Sequence, residues 1–246
     1  MRPGTRLRLL IPSVQPTRAD ASWNGTEPRR ERTVRTQFHR EITRRALAPY
    51  FTDEAVEIAL RANDSQDNLR GQIAHPEYHV DNAVAPGYAF MLGKKQQAKD
   101  AFGKGHCIRA IEALGCCLHT VQDFYSHSNY VKLWLEANGG VTTDPASIPL
   151  LLDWLTIPEL RTGRATLQEG LTYLPWIGKL FARMLTLPAD SHAALNLDGP
   201  HRGPEFAFAL EAARKHSEHI AAEVNEEIVH IAPALSCLRR SETPLA

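Results

Sequence analysis

The sequence predicts an all-α fold, on three observations. Every segment with a regular apolar pattern has the three- and four-residue spacing of a helix, and no run of alternating apolar and polar residues is long enough for a sheet. The chain has 246 residues, enough to bury a sizeable core in a single large domain. No apolar stretch approaches the roughly 18 residues that span a bilayer, so we expect a soluble protein whose membrane contact is peripheral.

The N-terminal half divides into an arm, two helices and a loop. Residues 1–34 are rich in Pro and Arg and lack an apolar period, which is typical of a flexible arm. A first helix follows from Gln37, and a second begins at Thr52, a good N-cap residue. Residues 65–86 are polar and carry several histidines without strand alternation. We expect this stretch to be a loop, and loops held by a scaffold often carry functional sites.

The C-terminal half is predicted to contain two long helical segments around an insertion. Residues 105–138 have a continuous helical period and should form the central helix or helix pair. Residues 139–203 are rich in Gly and Pro, which indicates an insertion or lid of short helices. The last long helix should run from residue 204 to residue 231, so that residues 35–246 form one helical domain. The insertion contains three large aromatic residues, Trp154, Trp176 and Phe181.

Charge and cysteine content exclude some classes of function. Lys+Arg and Asp+Glu number 28 each, so no overall field attracts nucleic acid or an anionic membrane. Pro12 interrupts the short apolar run near the N-terminus, so export would have to proceed without a clear signal peptide. Three of the four cysteines lie inside the predicted central segment and resemble small core residues, so we expect no disulfide framework. These three are Cys107, Cys116 and Cys117.

The strongest local motif is a stripe of three polar residues in the central segment. His119, Asp123 and His127 stand four residues apart, which places them on one face of a helix. Imidazole nitrogen and carboxylate oxygen are donors that suit Zn²⁺. A solvated helix face is the alternative, but the apolar neighbours Leu118 and Val121 fit it poorly. The stripe therefore predicts a metal site.

Two further groups could supply ligands, although each has an ordinary structural explanation. Asp64, Asp67 and His79 lie in a segment with few apolar residues, as expected if a metal orders a loop, or if the loop is simply solvated. On the last helix, His219 and Glu223 share a face and could be ligands or a surface pair. His39 lies on the first helix between Phe38 and Ile42. It could be a metal ligand or a core histidine whose hydrogen bonds are satisfied.

The order of these motifs along the chain resembles the bacterial and fungal Het-C group. That group is related to zinc-dependent phospholipase C and, more distantly, to single-strand-specific zinc nucleases. The resemblance covers roughly residues 36 to 136. It is carried by Phe38-His39, by Asn63 to Asp67, by His79-Val-Asp81 and by Ala113 to Asn129 with its His-Thr-Val-Gln-Asp-Phe-Tyr-Ser-His core.

The resemblance implies an all-α domain of zinc-dependent phospholipase C type with two or three zinc ions. The residues that match the family's ligands are His39, Asp67, His79, His119, Asp123 and His127, with His219 and Glu223 as the late pair. Asp123 would then bridge two metals. Three departures matter: the gap between Asp123 and His127 is shorter than in the phospholipases, His192 with Asp198 competes for the late positions, and the family's N-terminal ligand has no clear counterpart.

The resemblance implies hydrolysis of the phosphodiester in phospholipid headgroups by metal-activated water. Asp64 or Asp67 would position that water, Asp123 would hold the metals, and the insertion could receive acyl chains or be subdomain core. A zinc nuclease is the enzymatic alternative, but the motifs lack the basic track and stacking aromatics typical of nucleic-acid binding. A third interpretation is a non-catalytic protein of self-recognition or cell death, whose metals would be purely structural.

Overall fold

A computed structural model describes residues 32–68, 71, 74–164, 191–231 and 238–240 of the chain. Within these ranges all regular structure is helical and β-pairing is limited to isolated bridges. The α-helices are α1 (Arg32–Leu47), α2 (Asp53–Gln66), α3 (Val84–Gly103), α4 (Cys107–His127), α5 (Tyr130–Ala137), the single turn α6 (His192–Leu195) and α7 (Glu205–Ile231). Short 3₁₀ turns span Pro76–Tyr78, Gly140–Thr142, Pro145–Ser147, Trp154–Thr156 and Pro200–Arg202. The predicted all-α fold is confirmed.

Helix α4 is the centre of the fold because it can be buried on every side. Its apolar and small residues are not confined to one stripe, which is the pattern of an enclosed helix. Helices α2, α3 and α7 pack around it. At Gly115 the backbone of α2 comes so close that a Cβ would lie 2.3 Å from the carbonyl oxygen of Ala59. The fold therefore buries most polar residues in the second half of α4, whereas Arg109 and Glu112 near its start are exposed.

Two elements differ from the sequence prediction, and a third takes one of its two predicted forms. Helix α1 begins at Arg32, inside the segment expected to be an arm, while residues 1–31 lie outside the described part. The central segment is a helix pair, since α4 ends at His127 and α5 starts at Tyr130. Helix α3 was not predicted, because its buried positions are mostly Gly and Ala and the exposed Leu92 blurs the period. The last helix lies where it was predicted.

Trp154, in the described part of the insertion, is a core residue rather than part of an exposed apolar surface. Trp154 is fully buried and stacks on Phe124 of α4 with ring centroids 4.0 Å apart. Of the two alternatives for the insertion, acyl-chain contact or subdomain core, the burial of Trp154 fits subdomain core for this residue. Trp176 and Phe181 lie outside the described residues. Among the described helices, none combines the length and apolar character of a membrane span.

The C-terminal segment returns to the junction between α1 and α2. Thr52 N donates to Leu238 O at 2.7 Å, and Arg240 N donates to Tyr50 O at 3.0 Å.

Cys107, at the start of α4, is disulfide-bonded, whereas Cys116 and Cys117 carry free thiols. Cys117 is the small buried core residue that was expected, whereas the disulfide of Cys107, which packs against the core, was not expected.

Candidate metal centre

The predicted stripe on α4 points into the protein. His119, Asp123 and His127 are 0%, 2% and 4% exposed. Their four-residue spacing keeps them on one side of α4, and that side faces α1, α2 and the loop before α3. Buried imidazoles and carboxylates must be paired or bound to a metal, because leaving them unpaired costs several kcal/mol, on the order of 2–7. The solvated-face alternative is therefore excluded.

Asp123 is the hub of the centre. Its Oδ1 lies 3.2 Å from His39 Nε2, and its Oδ2 lies 2.7 Å from His79 Nδ1 and 3.1 Å from His119 Nε2. The two imidazole nitrogens of His79 and His119 are themselves 3.2 Å apart. Helix α1, the loop before α3 and helix α4 thus each bring a histidine to one carboxylate. The sequence placed all three histidines in this group only through the family resemblance.

Asp67, the C-cap residue of α2, closes the centre on the solvent side. Its Oδ1 lies 3.9 Å from both His79 Nδ1 and His119 Nε2, and its side chain is 31% exposed. Two overlapping sets of ligand atoms lie within 4.8 Å of one another, namely His39 with Asp67 and His119, and His79 with His119 and Asp123. Ligands around a tetrahedral zinc ion are about 3.3 Å apart, so these separations fit with small adjustments.

The outward nitrogens of two histidines are fixed by buried amides. His39 Nδ1 lies 2.7 Å from Gln122 Oε1, and His119 Nδ1 lies 3.2 Å from Asn63 Oδ1. The amide groups of Gln122 and Asn63 both donate to Thr43 Oγ1, so their oxygens are the acceptors and the imidazoles donate. Both Nε2 atoms therefore face Asp123, where they can bind either a proton or a metal ion. The sequence analysis missed these two amides, although both lie inside the motifs that it singled out.

His127 meets Asp198 rather than the late pair on α7. Its Nε2 lies 3.0 Å from Asp198 Oδ1, and its Nδ1 donates to the carbonyl oxygen of His79 at 3.2 Å. Asn196 holds the other carboxylate oxygen of Asp198 through a 2.7 Å hydrogen bond from Nδ2. Of the two sequence alternatives, the structure therefore favours the one that contains Asp198. The side chain of its predicted companion, His192, lies outside the description.

Three predicted site residues lie away from this cluster. Glu223 forms ion pairs with Lys95 and Lys99 of α3, both at 3.0 Å, so it neutralises lysines instead of facing His127. His219, on the same helix, is exposed and makes no described contact with the cluster. The Asp64 carboxylate pairs with Arg40 at 2.5 Å and makes no described contact with the Asp67 side chain or the histidines, so it is not placed to orient a water there.

The carboxylates of the centre attract positive charge strongly. Burial would raise the pKa of Asp123, but the charges of His119 and His127 outweigh it and hold this pKa well below the usual range. Burial would also lower the pKa of His39, yet the hydrogen bond and charge of Asp123 raise it to about 9. For His127, the charges of Asp198 and Asp123 overcome burial and raise the pKa to about 10. In the absence of a metal, protons must therefore supply compensating charge.

One imidazole nitrogen remains without a partner. His79 Nε2 is buried and neither donates nor accepts a hydrogen bond among the described residues, while its Nδ1 faces Asp123. Ligating histidines normally have a hydrogen-bond partner on the second nitrogen. His79 is therefore less constrained than the other buried histidines of the centre, His39, His119 and His127. The arrangement as a whole can hold a cation between several nitrogen and carboxylate donors inside a nearly dry interior.

Comparisons with known proteins point to a family other than the one the sequence resembled. A family model described as the VWA7 N-terminal domain matches residues 37–139, which include the candidate ligands from His39 to His127. Mouse von Willebrand factor A domain-containing protein 7 is 33% identical over 104 residues, which are 40% of this chain and 12% of the mouse protein. The human protein of that name is 38% identical over 74 residues, 30% of this chain and 8% of its own length.

These matches correct the assignment to the Het-C group. No Het-C or phospholipase C family matches the chain, so that recognition is wrong, and the phospholipase, nuclease and self-recognition functions drawn from it lose their basis. This chain spans about a tenth of the length of the curated relatives it matches. No solved structure matches it. The similarity of residues 37–139 to the VWA7 N-terminal domain is thus what these comparisons support.

Proposed function

We propose that this chain is a metal-binding helical domain whose buried centre holds zinc. The observation that carries the proposal is the orientation of His39 and His119. Each donates Nδ1–H to a buried amide oxygen and turns Nε2 toward Asp123. Ligating histidines in zinc proteins have this arrangement, because the outer hydrogen bond fixes the tautomer and raises the basicity of the inner nitrogen.

The donor set and the charge of the centre favour zinc. Imidazole nitrogen with carboxylate oxygen suits Zn²⁺, and hard cations such as Ca²⁺ and Mg²⁺ prefer oxygen ligands alone. His39, His79, His119 and Asp123 would hold the first ion, with Asp67 at the solvent edge. A bound divalent ion would replace the protons that otherwise offset these carboxylates. The second ligand group and the contact between His127 and Asp198 favour additional ions in the same region.

Cobalt substitution tests the proposed ligands directly. Co²⁺ bound by histidine and carboxylate absorbs visible light, so titration of metal-free protein should give a saturable spectrum with at least one equivalent bound. His119→Ala should abolish or strongly change this spectrum. His106→Ala is the matched control, because His106 is exposed at the N-terminus of α4 and far from the cluster along the helix. Equal spectra for both variants would contradict the proposed ligands.

A hydrolytic role is a second candidate, favoured by the partial exposure of Asp67. A ligand at the solvent edge leaves room for water on the metal, and a zinc ion lowers the pKa of bound water to near neutrality. We propose phosphodiester hydrolysis only as a class, without a lipid or nucleic-acid substrate. The chain's own contribution would be to orient the ligands through Gln122 and Asn63 and to exclude bulk water around Asp123.

Turnover of bis(p-nitrophenyl) phosphate by the zinc-loaded protein tests this role. Hydrolysis should exceed that of free zinc at equal concentration, stop on chelation and fall in Asp67→Asn. Asp100→Asn is the matched control, since Asp100 is exposed on α3 and bonds only Gln96. Zinc binding without turnover would leave the metal-binding proposal intact and remove the enzymatic one.

A further inference from the structure

His79 is held in the centre by something other than a hydrogen bond to its outer nitrogen. Buried amides orient His39 and His119, but His79 Nε2 has no partner among the described residues. The His79 side chain is nevertheless buried, and its Nδ1 lies 2.7 Å from Asp123 Oδ2. Its position therefore depends on the backbone and the packing of the loop that carries it.

The backbone of this loop is strained at the residue after His79. Val80 has a φ of 57°, in the left-handed region. A β-branched residue rarely adopts this conformation, because its Cβ comes too close to a neighbouring carbonyl oxygen. Asn82 also has a positive φ, of 67°, but asparagine tolerates it better than valine does. Such strain persists only where the surrounding structure holds the residue in place, and it is concentrated at functional sites.

Packing against α3 holds Val80 in this conformation. The Val80 side chain is fully buried, and Gly87 of α3 lies directly beside it. A Cβ at residue 87 would lie 2.8 Å from Val80 Cγ1 and 3.1 Å from Val80 Cα, so the valine and its backbone would have to move. The absence of a side chain at Gly87 thus makes the space in which Val80 packs.

Hydrogen bonds tie the same loop to the end of α4. His127 Nδ1 donates to the carbonyl oxygen of His79 at 3.2 Å, and Asn82 N donates to Gly163 O at 2.9 Å. Gly163 N in turn donates to His127 O at 2.9 Å. The backbone on both sides of Val80 is therefore connected, directly or through Gly163, to the last residue of α4.

We propose that Val80 and Gly87 are positioning residues that hold His79 against Asp123 as a metal ligand, a role that rests on the proposed zinc site. Their contact fixes the backbone next to His79, whereas the other two histidines around Asp123 are oriented by hydrogen bonds to amides. The imidazole is then in place before the ion arrives, and a preorganised ligand costs less entropy to bind.

Chemical modification of the metal-free protein tests this role without zinc. Diethyl pyrocarbonate reacts with accessible neutral imidazoles, and peptide mass spectrometry gives a rate for each histidine. In Gly87→Ala the rate at His79 should rise about 10-fold, because local opening of the loop becomes easier, while His39 and His119 react as in wild type. An unchanged rate at His79, or an equal rise at all three histidines, would overturn the proposal.

Gly93→Ala is the matched control, and Val80→Gly is the second variant. Gly93 also lies on α3, but a Cβ there meets nothing within 4 Å, so this variant should react as wild type does. Glycine adopts a φ of 57° without strain but lacks the side chain that packs against Gly87. Val80→Gly should therefore expose His79 as well, even if Gly87→Ala does not fold.

Zinc competition against a chelator then separates the positioning role from the zinc site itself. Gly87→Ala and Val80→Gly should bind zinc about 10–100-fold more weakly than wild type, as when other supporting contacts of a ligand are lost. Gly93→Ala should bind as wild type does. Wild-type affinity in both of the first two variants would overturn the positioning role. A wild-type protein that binds no zinc would instead contradict the zinc site, whatever the modification rates show.

Discussion

Helices α4 and α7 carry similar stripes of ionisable residues, yet only the stripe on α4 becomes a candidate metal centre. On α4, His119, Asp123 and His127 meet histidines and carboxylates from other elements. On α7, His216 meets a tyrosine and Glu223 meets two lysines. The α7 stripe consists of His216, His219 and Glu223, and spacings of three or four residues put side chains on one face in both helices. The residues opposite that face decide whether the side chains bind a metal or complete the core.

The partners differ because the two helices occupy different places in the fold. The second half of helix α4 is enclosed, so its polar residues must be satisfied by the loop before α3 and by α1. Helix α7 lies beside α3, whose Lys95 and Lys99 reach Glu223 at the partly exposed margin. A carboxylate with two ammonium partners has little reason to take up a cation as well.

The largest effect should follow from Asp123→Asn, which removes the shared carboxylate of the α4 stripe. An amide is a neutral and weaker ligand, so we expect the variant to lose at least one equivalent of zinc in equilibrium dialysis. Asp100→Asn removes an exposed carboxylate from α3 and should bind zinc as wild type does. Unchanged zinc content in Asp123→Asn would mean that the metal binds elsewhere. The claim that the α4 stripe binds metal and the α7 stripe does not would then be wrong.

Acid stability should report on the α7 stripe. Burial, with the charges of His219 and Lys95, lowers the pKa of His216 to about 3, while an unfolded histidine titrates near 6.5. Between these values the unfolded chain binds the extra proton, so stability falls as pH drops from 6.5 toward 3. The loss should reach about 3 kcal/mol at pH 4, on the order given by a shift of this size.

His216→Gln keeps a polar group near Tyr125 Oη but removes the titration. The tyrosine hydroxyl accepts from Leu151 N at 2.8 Å, so it donates to His216 Nδ1 at 2.9 Å in the wild type. Urea unfolding at pH 7 and pH 4 should show a smaller loss of stability for the variant than for wild type. Parallel losses in the two proteins would mean that His216 does not remain neutral in the folded state.

Gln122→Leu should weaken the centre without touching a ligand. The variant loses the acceptor that orients His39, and outer hydrogen-bond partners of this kind contribute about 10–100-fold to metal affinity. Zinc titration against a competing chelator measures the change. Gln122→Glu retains an acceptor oxygen at the same distance from the backbone and should recover part of the affinity. Equal affinities for wild type and Gln122→Leu would show that the tautomer of His39 is set by something else.

The smallest effect should come from Glu223→Gln. Its ion pairs with Lys95 and Lys99 lie at a half-exposed margin, where solvent screening limits each pair to about 1 kcal/mol or less. Zinc affinity should not change. Asp198→Asn is the contrasting variant and should lower the number or affinity of bound ions through His127. If Glu223→Gln lowered zinc affinity and Asp198→Asn did not, the late ligand would be on α7 instead.

The sequence predicted the helical class and the inward direction of the α4 stripe because both follow from local periodicity. It did not predict α3, whose buried Gly and Ala positions give a weak pattern. It also did not decide between Glu223 and Asp198 as neighbours of His127, since that depends on long-range packing and on lysines 124 and more residues away in the chain. The motifs that resemble the Het-C group were taken to show membership of that family. The phospholipase function inferred from that membership was wrong.

The zinc content of the wild-type protein tests the central claim most directly. Metal-free protein is dialysed against buffered zinc, and bound metal per folded chain is measured by inductively coupled plasma mass spectrometry. We expect at least one zinc ion per chain, bound more weakly as pH falls because protons compete for the same imidazoles. A well-folded protein that retains less than one ion per chain would contradict the account, and the cluster around Asp123 would then be a network of buried ion pairs.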